Sequence, residues 1–318
     1  MKNKLEAFFF VTLVGAEFQV KSRKGLRIND TMYITNNFDV IGKYIHEKKL
    51  EGKIGSLEYD HLKVQSSFVY SKYYVDQSIV HDAGERQQQL LRLLYEVQSF
   101  FSTAWLFMDG GVILDDGYLV VSIGDSNILD KNHLRNNIYS SDLLNRVVTL
   151  EESLLKEIRD LNRVVTKVDM ELQASTVKLS KNKSRLSLCL YHIQIARSHN
   201  DWMLRVAFFV CALESLFNTS KAEISHQISQ ITISFLDRTV EDKLEVYELL
   251  KQCYSIRSYV FHGAVIKDKK LKNIGELSRF IENIVKEVVV VVFQNFSLYE
   301  LFQGDEQALR NTLLRRIL

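Results

Sequence analysis

The sequence predicts an α+β protein: an N-terminal mixed α/β domain rich in antiparallel strands over 1–138, then an all-α helical domain over 139–318. Three observations carry this. Up to about Val121 many apolar residues alternate with polar ones or form short β-branched and aromatic runs, as strands require. Beyond Ser140 the apolar period becomes helical almost throughout. Between the two, Gly124 to Asn137 is polar, with Asp125, Ser126, Asn127, Asn132 and Asn136, and reads as a linker.

Taken in order, Ala7 to Val14 and Glu17 to Lys21 read as strands, as do Arg27 to Thr35 and Ser67 to Val75, with Phe38 to Lys49 as a short helix between them. From Gln87 to Phe107, Leu90, Leu91, Leu94, Val97, Phe100, Phe101 and Leu106 share one helical face. Val112 to Leu114 and Tyr118 to Val121 flank Asp115-Asp116-Gly117, a hairpin signal that would close the first domain. Asp142 to Val168 reads as one long amphipathic helix, and Arg185 to Ser198 as the next. Asp201 can cap a helix running to Phe217, apolar nearly all round and therefore central. Ala222 to Leu236, Val240 to His262, Ile274 to Phe296 and a short C-terminal segment complete the helices. The chain contains no proline, so boundaries rest on glycine and on changes of period.

Composition narrows the function. A net charge of +2 over 318 residues gives no global bias toward nucleic acid or membrane, so any RNA contact must be a local patch. Cys189, Cys211 and Cys253 are odd in number and lie within apolar helical patterns, which fits reduced core thiols and a cytoplasmic protein. Met1 to Ala16 has basic, apolar and small residues in signal-peptide order. Glu6 interrupts the basic region, however, and the apolar run passes into the alternation of Glu17 to Lys21, as a strand would; secretion would need cleavage after Ala16. No run approaches the roughly 20 apolar residues of a membrane span. His46, His61, His81 and His133 lack metal-ligand spacing, and there is no phosphate-binding loop or nucleophile elbow.

Chemistry concentrates between Cys253 and Gly263, where Arg257 precedes His262 by five positions. Gly263 suits the left-handed residue after a helix, so His262 falls in the last turn, where the helix dipole favours a cationic ring suited to proton donation. Five positions are roughly 140° of helical rotation, so the two side chains do not share a face. Two copies facing each other across a two-fold axis could pool them in one cleft.

Tyr254-Ser-Ile-Arg257-Ser-Tyr-Val-Phe-His262-Gly263, preceded by Ala212-Leu-Glu214-Ser-Leu-Phe217 and by Glu223-Ile-Ser-His-Gln-Ile-Ser-Gln, resembles the HEPN superfamily, closest to its Apea-like branch. The resemblance covers about Leu186 to Phe296. It implies an all-α bundle that pairs as a homodimer with a composite active site, a metal-independent endoribonuclease without cofactor, and a toxin-like effector in anti-phage defence. It makes Arg257 and His262 the catalytic pair, with Ser258, Glu214 and Tyr254 in support. Many catalytic members carry asparagine, aspartate or histidine after the arginine, where this chain has Ser258.

The chemistry of the side chains agrees with those roles. Arg257 can hold the scissile phosphate through charge-assisted contacts, and His262 can act as general acid or base while a 2′-hydroxyl attacks, leaving a cyclic phosphate and a 5′-hydroxyl. Lys267, Lys269, Lys270 and Lys272 can track an RNA backbone or form a solvated loop, and Lys178 to Arg185 is open to the same two readings. Tyr254 and Tyr259 can stack on unpaired bases or belong to the core. Two alternatives stay open. Arg257 can pair with an acid such as Glu214 while His262 only caps the helix, and the domain can be a silent HEPN module that binds RNA or a protein partner. The N-terminal domain would sense a phage-derived trigger or a regulatory partner; no membrane partner is implied.

Overall fold

A computed structural model describes residues 4–134, 137–144, 146–173, 183–219, 223–263 and 271–317, with the side chains of 171–173 excepted. In chain order the first half contains β1 (Lys4–Val14), β2 (Ala16–Gln19), β3 (Leu26–Arg27), β4 (Met32–Thr35), α1 (Phe38–Glu47), α2 (Glu51–Ile54), α3 (Ser56–Val64), β5 (Phe68–Asp76), α4 (Ala83–Ala104), β6 (Ile113–Ile123), β7 (Ser126–Asn132) and β8 (Val148–Glu151). Then follow α5 (Glu152–Gln173), α6 (Arg185–Ser198), α7 (Trp202–Phe217), α8 (Ile224–Ser234), α9 (Val240–His262), α10 (Ile274–Gln294), α11 (Phe296–Gln303) and α12 (Glu306–Ile317). The fold is α+β.

The apolar run of β1 explains the first unit. A strand presents successive side chains to opposite faces, so an unbroken apolar run needs cover on both. Ala7, Phe9, Val11 and Leu13 enter one core with Leu90, Leu94, Val97 and Phe101 of α4 and Leu155 and Ile158 of α5. Phe8 and Phe10 enter a second core with Ile41, Tyr44 and Ile45 of α1, Leu50, Ile54 and Leu62. β1 therefore sits inside a six-stranded antiparallel sheet of order β3-β4-β5-β1-β6-β7. Glu6, which breaks the signal-like run, is held by Lys72 at 2.8 Å and Lys48 at 3.5 Å.

Three expectations are corrected. Asp115-Asp116-Gly117 makes no turn, because β6 runs through it. A Cβ on Gly117 would lie 2.5 Å from Cδ2 of Leu94, so the glycine serves close approach of α4. The aspartates are used across the structure: Asp115 accepts from His61 at 2.8 Å, and Asp116 pairs with Lys131 at 2.7 Å. The turn comes later, at Gly124-Asp125, where Ile123 pairs with Ser126 and Gly124 adopts φ +56°. The supposed linker thus contains β7, whose polarity suits an edge strand. Finally, α5 starts at Glu152 and not at Asp142, because the β-branched stretch before it forms β8 and pairs in parallel with β2. No element was expected over 51–64, where α2 and α3 form.

The chain divides into two compact units, 1–136 with 145–166, and 137–144 with 167–318. A boundary at 138 alone does not describe this division, since β8 and the first part of α5 complete the first unit.

In the second unit α7 is central and packs against α6, α8, α9 and α10. Its apolar circumference requires that environment. Asp201 caps it, accepting from the Leu204 amide at 2.9 Å. Asp201→Ala is expected to lower stability by about 1 kcal/mol, read from a denaturant midpoint; an unchanged midpoint would show the cap to be dispensable. Among the described residues no helix is long and apolar enough to cross a membrane.

Candidate functional site

The geometry of α9 decides where the two candidate catalytic residues go. Thr239 caps its start, accepting from the Asp242 amide at 3.2 Å, and Gly263 ends it at φ +69°, its N–H donating to the Tyr259 carbonyl at 3.0 Å. Val246, Leu250 and Cys253 are buried on one stripe of this helix. Arg257 continues that stripe, four positions after Cys253, and so points inward. His262, about 140° round the axis, is exposed at the helix end.

Facing inward, Arg257 meets α7. Its Nη2 donates to Oε2 of Glu214 at 2.8 Å, with the side chains 25% and 13% exposed. The pairing weighed as an alternative to catalysis is therefore present. It leaves a quarter of the Arg257 side chain exposed. The guanidinium carbon lies 5.2 Å from the Phe261 ring centre and 5.8 Å from that of Tyr254. Burial opposes the charge on Arg257, but Glu214 and Cys211 offset this and hold its pKa above the ordinary value. Burial and then the Glu214 carboxylate push the Tyr254 phenol up to about 12, so it remains a hydroxyl donor. Burial likewise raises the Cys211 thiol to about 11, which excludes a thiolate nucleophile near neutral pH. Cys189, Cys211 and Cys253 are all free and buried.

His192 of α6 also belongs to this neighbourhood. Its ring stacks on Phe208 with centroids 6.2 Å apart, and Phe208 meets Phe261 edge-on at 5.7 Å. Burial, with a contribution from the Arg257 charge, lowers its pKa to about 4. Nδ1 of His192 and Nε of Arg257 are both buried without a hydrogen-bond partner among the described residues. The sequence did contain a signal for His192. It lies three positions after buried Cys189 and four before buried Ala196, beside the inward stripe of its helix.

A histidine whose folded pKa is depressed contributes stability above its unfolded pKa, near 6.5, which is lost as pH falls toward about 4. Stability of the wild-type protein is therefore expected to decline through that window. His192→Phe should flatten the decline in melting temperature between pH 6.5 and 4.5, and an unchanged slope would assign the decline to other groups.

The remaining candidates are placed less tightly. Ser258 and Tyr259 are half-buried, and Lys272 is exposed in the turn before α10. Lys267, Lys269 and Lys270 lie outside the described residues, as does the segment 174–182 that includes most of the second basic run. Arg185, at the end of that run, donates to the Ser215 and Leu216 carbonyls at 3.2 and 3.3 Å and pairs with Glu306 at 2.9 Å. It satisfies the C-terminal carbonyls of α7, a structural task.

Comparison with protein-family models, with curated proteins and with solved structures finds no match to this chain.

Proposed function

We propose that the second unit is a HEPN-type, metal-independent endoribonuclease acting as a homodimer in the cytoplasm. The observation that carries the reading is the orientation of Arg257 on Glu214 at 2.8 Å, with His262 exposed five positions later at the helix end. An arginine positioned by a carboxylate is preorganised, and a side chain one-quarter exposed can take a phosphate oxygen while charge develops on it. His262, open to solvent, can exchange a proton with the attacking 2′-hydroxyl or the leaving 5′-oxygen. The angle between them makes each α9 half of a site, which a second copy would complete. In this reading the first unit restrains the nuclease until a trigger binds, with phage defence as the setting.

One observation favours a second reading, a silent HEPN module that binds RNA or a partner: Glu214 already neutralises Arg257 within the chain. Incubation with RNA in EDTA, followed by mapping of the ends, separates the two. Cyclic phosphate and 5′-hydroxyl ends, lost in Arg257→Ala and His262→Ala, support the nuclease. Intact RNA under every condition supports the binding module.

A further inference from the structure

An open groove of about 660 Å³ lies between α8 and α9. The first turn of α8 supplies one wall through Glu223, Ile224, Ser225 and His226, and α9 supplies the other through Tyr247, Lys251 and Tyr254. The α9 residues follow a spacing of four and then three, so they project from one stripe of the helix. Ser258 and Phe261 continue that stripe in the same rhythm, and Phe261 is 46% exposed. The stripe runs between the inward face that holds Arg257 and the outward face that holds His262. Tyr254 belongs both to the cavity and to the surroundings of Arg257, whose guanidinium carbon is 5.8 Å from its ring centre. Tyr254 thus links this groove to the candidate catalytic arginine.

Its chemistry is specific. Two phenol rings offer aromatic faces, and Lys251 offers an ammonium group, its Nζ 5.4 Å from the Tyr247 ring centre and only 3.8 Å from Glu248 on an exposed surface. Nδ1 of His226 is hydrogen-bonded to the Tyr247 hydroxyl, and the two rings meet edge-on at 5.8 Å. This bond fixes the orientation of the Tyr247 ring on the cavity wall. Glu223, an exposed lining residue, carries a carboxylate that can accept from an exocyclic amine or a ribose hydroxyl. Aromatic rings, one exposed cation and a few hydroxyl and carboxylate groups together match a nucleotide: base on aromatic ring, phosphate on ammonium.

We propose that the cavity between α8 and α9 is a nucleotide subsite, which seats a nucleotide flanking the cleaved linkage of single-stranded RNA. The placement next to the cleaved bond rests on the ribonuclease reading above; the nucleotide binding itself does not. The subsite determines which residue stands beside the scissile phosphate, and so contributes to sequence preference.

The test uses the full chain and adenosine 5′-monophosphate, with ribose 5-phosphate and inorganic phosphate as controls, titrated by calorimetry. The nucleotide should bind, and the two controls should bind more weakly because they cannot stack. Lys251→Ala and, separately, Tyr247→Ala should each weaken nucleotide binding about tenfold. In cleavage assays Lys251→Ala should raise KM for an RNA oligonucleotide while leaving kcat near wild type. Lys251 is exposed, so its variant tests the idea even if Tyr247→Ala fails to fold. No nucleotide binding by the wild type, or equal affinity in Lys251→Ala, overturns the proposal. So does a change of oligomeric mass in Lys251→Ala with nucleotide affinity intact, which would make this face a self-association surface. If His262→Ala cleaves RNA as well as wild type while binding the nucleotide normally, the ribonuclease reading fails and the nucleotide site stands.

Discussion

Glu282→Ala is expected to destabilise the second unit by about 3–5 kcal/mol, the range for breaking a buried ion pair by removing one partner. Arg205 of α7 and Glu282 of α10 are both 0% exposed, and Nη2 of Arg205 lies 2.6 Å from Oε2 of Glu282. Lys286, one turn further along α10, is 3.6 Å from the same carboxylate. Removing the carboxylate leaves the Arg205 guanidinium in an apolar interior, where it can neither reach water nor lose its proton. The double variant Arg205→Met with Glu282→Leu should recover much of the loss, since well-packed apolar residues replace buried pairs at little cost. Urea unfolding followed by the far-ultraviolet helical signal gives both numbers. A single-variant loss below about 1 kcal/mol, typical of exposed pairs, would mean that the site admits water.

His262→Ala is expected to reduce RNA cleavage by about 10²- to 10⁴-fold, the usual contribution of a positioned acid or base. Because His262 is exposed at the end of α9, this loss should come without a change in melting temperature. Arg257→Ala should match it in cleavage but also destabilise the fold, because Glu214, only 13% exposed, loses its partner. Mixing the two inactive variants tests the composite site. Mixed dimers carry one intact arginine and one intact histidine, so part of the activity should return; if mixing restores nothing while mixed dimers form, the two residues act within one chain.

Much of this was legible in the residues. The apolar run from Ala7 to Val14 announced a buried strand, and Asp201 and Gly263 marked a helix start and a helix end that the structure places where they were expected. The inward direction of Arg257 was legible too, since it continues the stripe of Val246, Leu250 and Cys253. Asp115-Asp116-Gly117 misled because a turn signal is local, whereas Gly117 answers to Leu94 of a distant helix. The polarity of β7 misled because an edge strand and a linker share a composition.

By itself, then, the sequence determined the long central strand and most of the later helices, because period and capping depend on neighbours a few positions away, whereas β7, β8, α2 and α3 escaped it. Only the tertiary structure decided which faces meet. Glu214 and Arg257 are 43 positions apart, and His192 approaches from a third helix. The packing of α7 against α6 and α9 brings those three groups together, and no local rule encodes that choice. The packing of α8 against α9 turns a stripe of tyrosine and lysine on α9 into the wall of a groove.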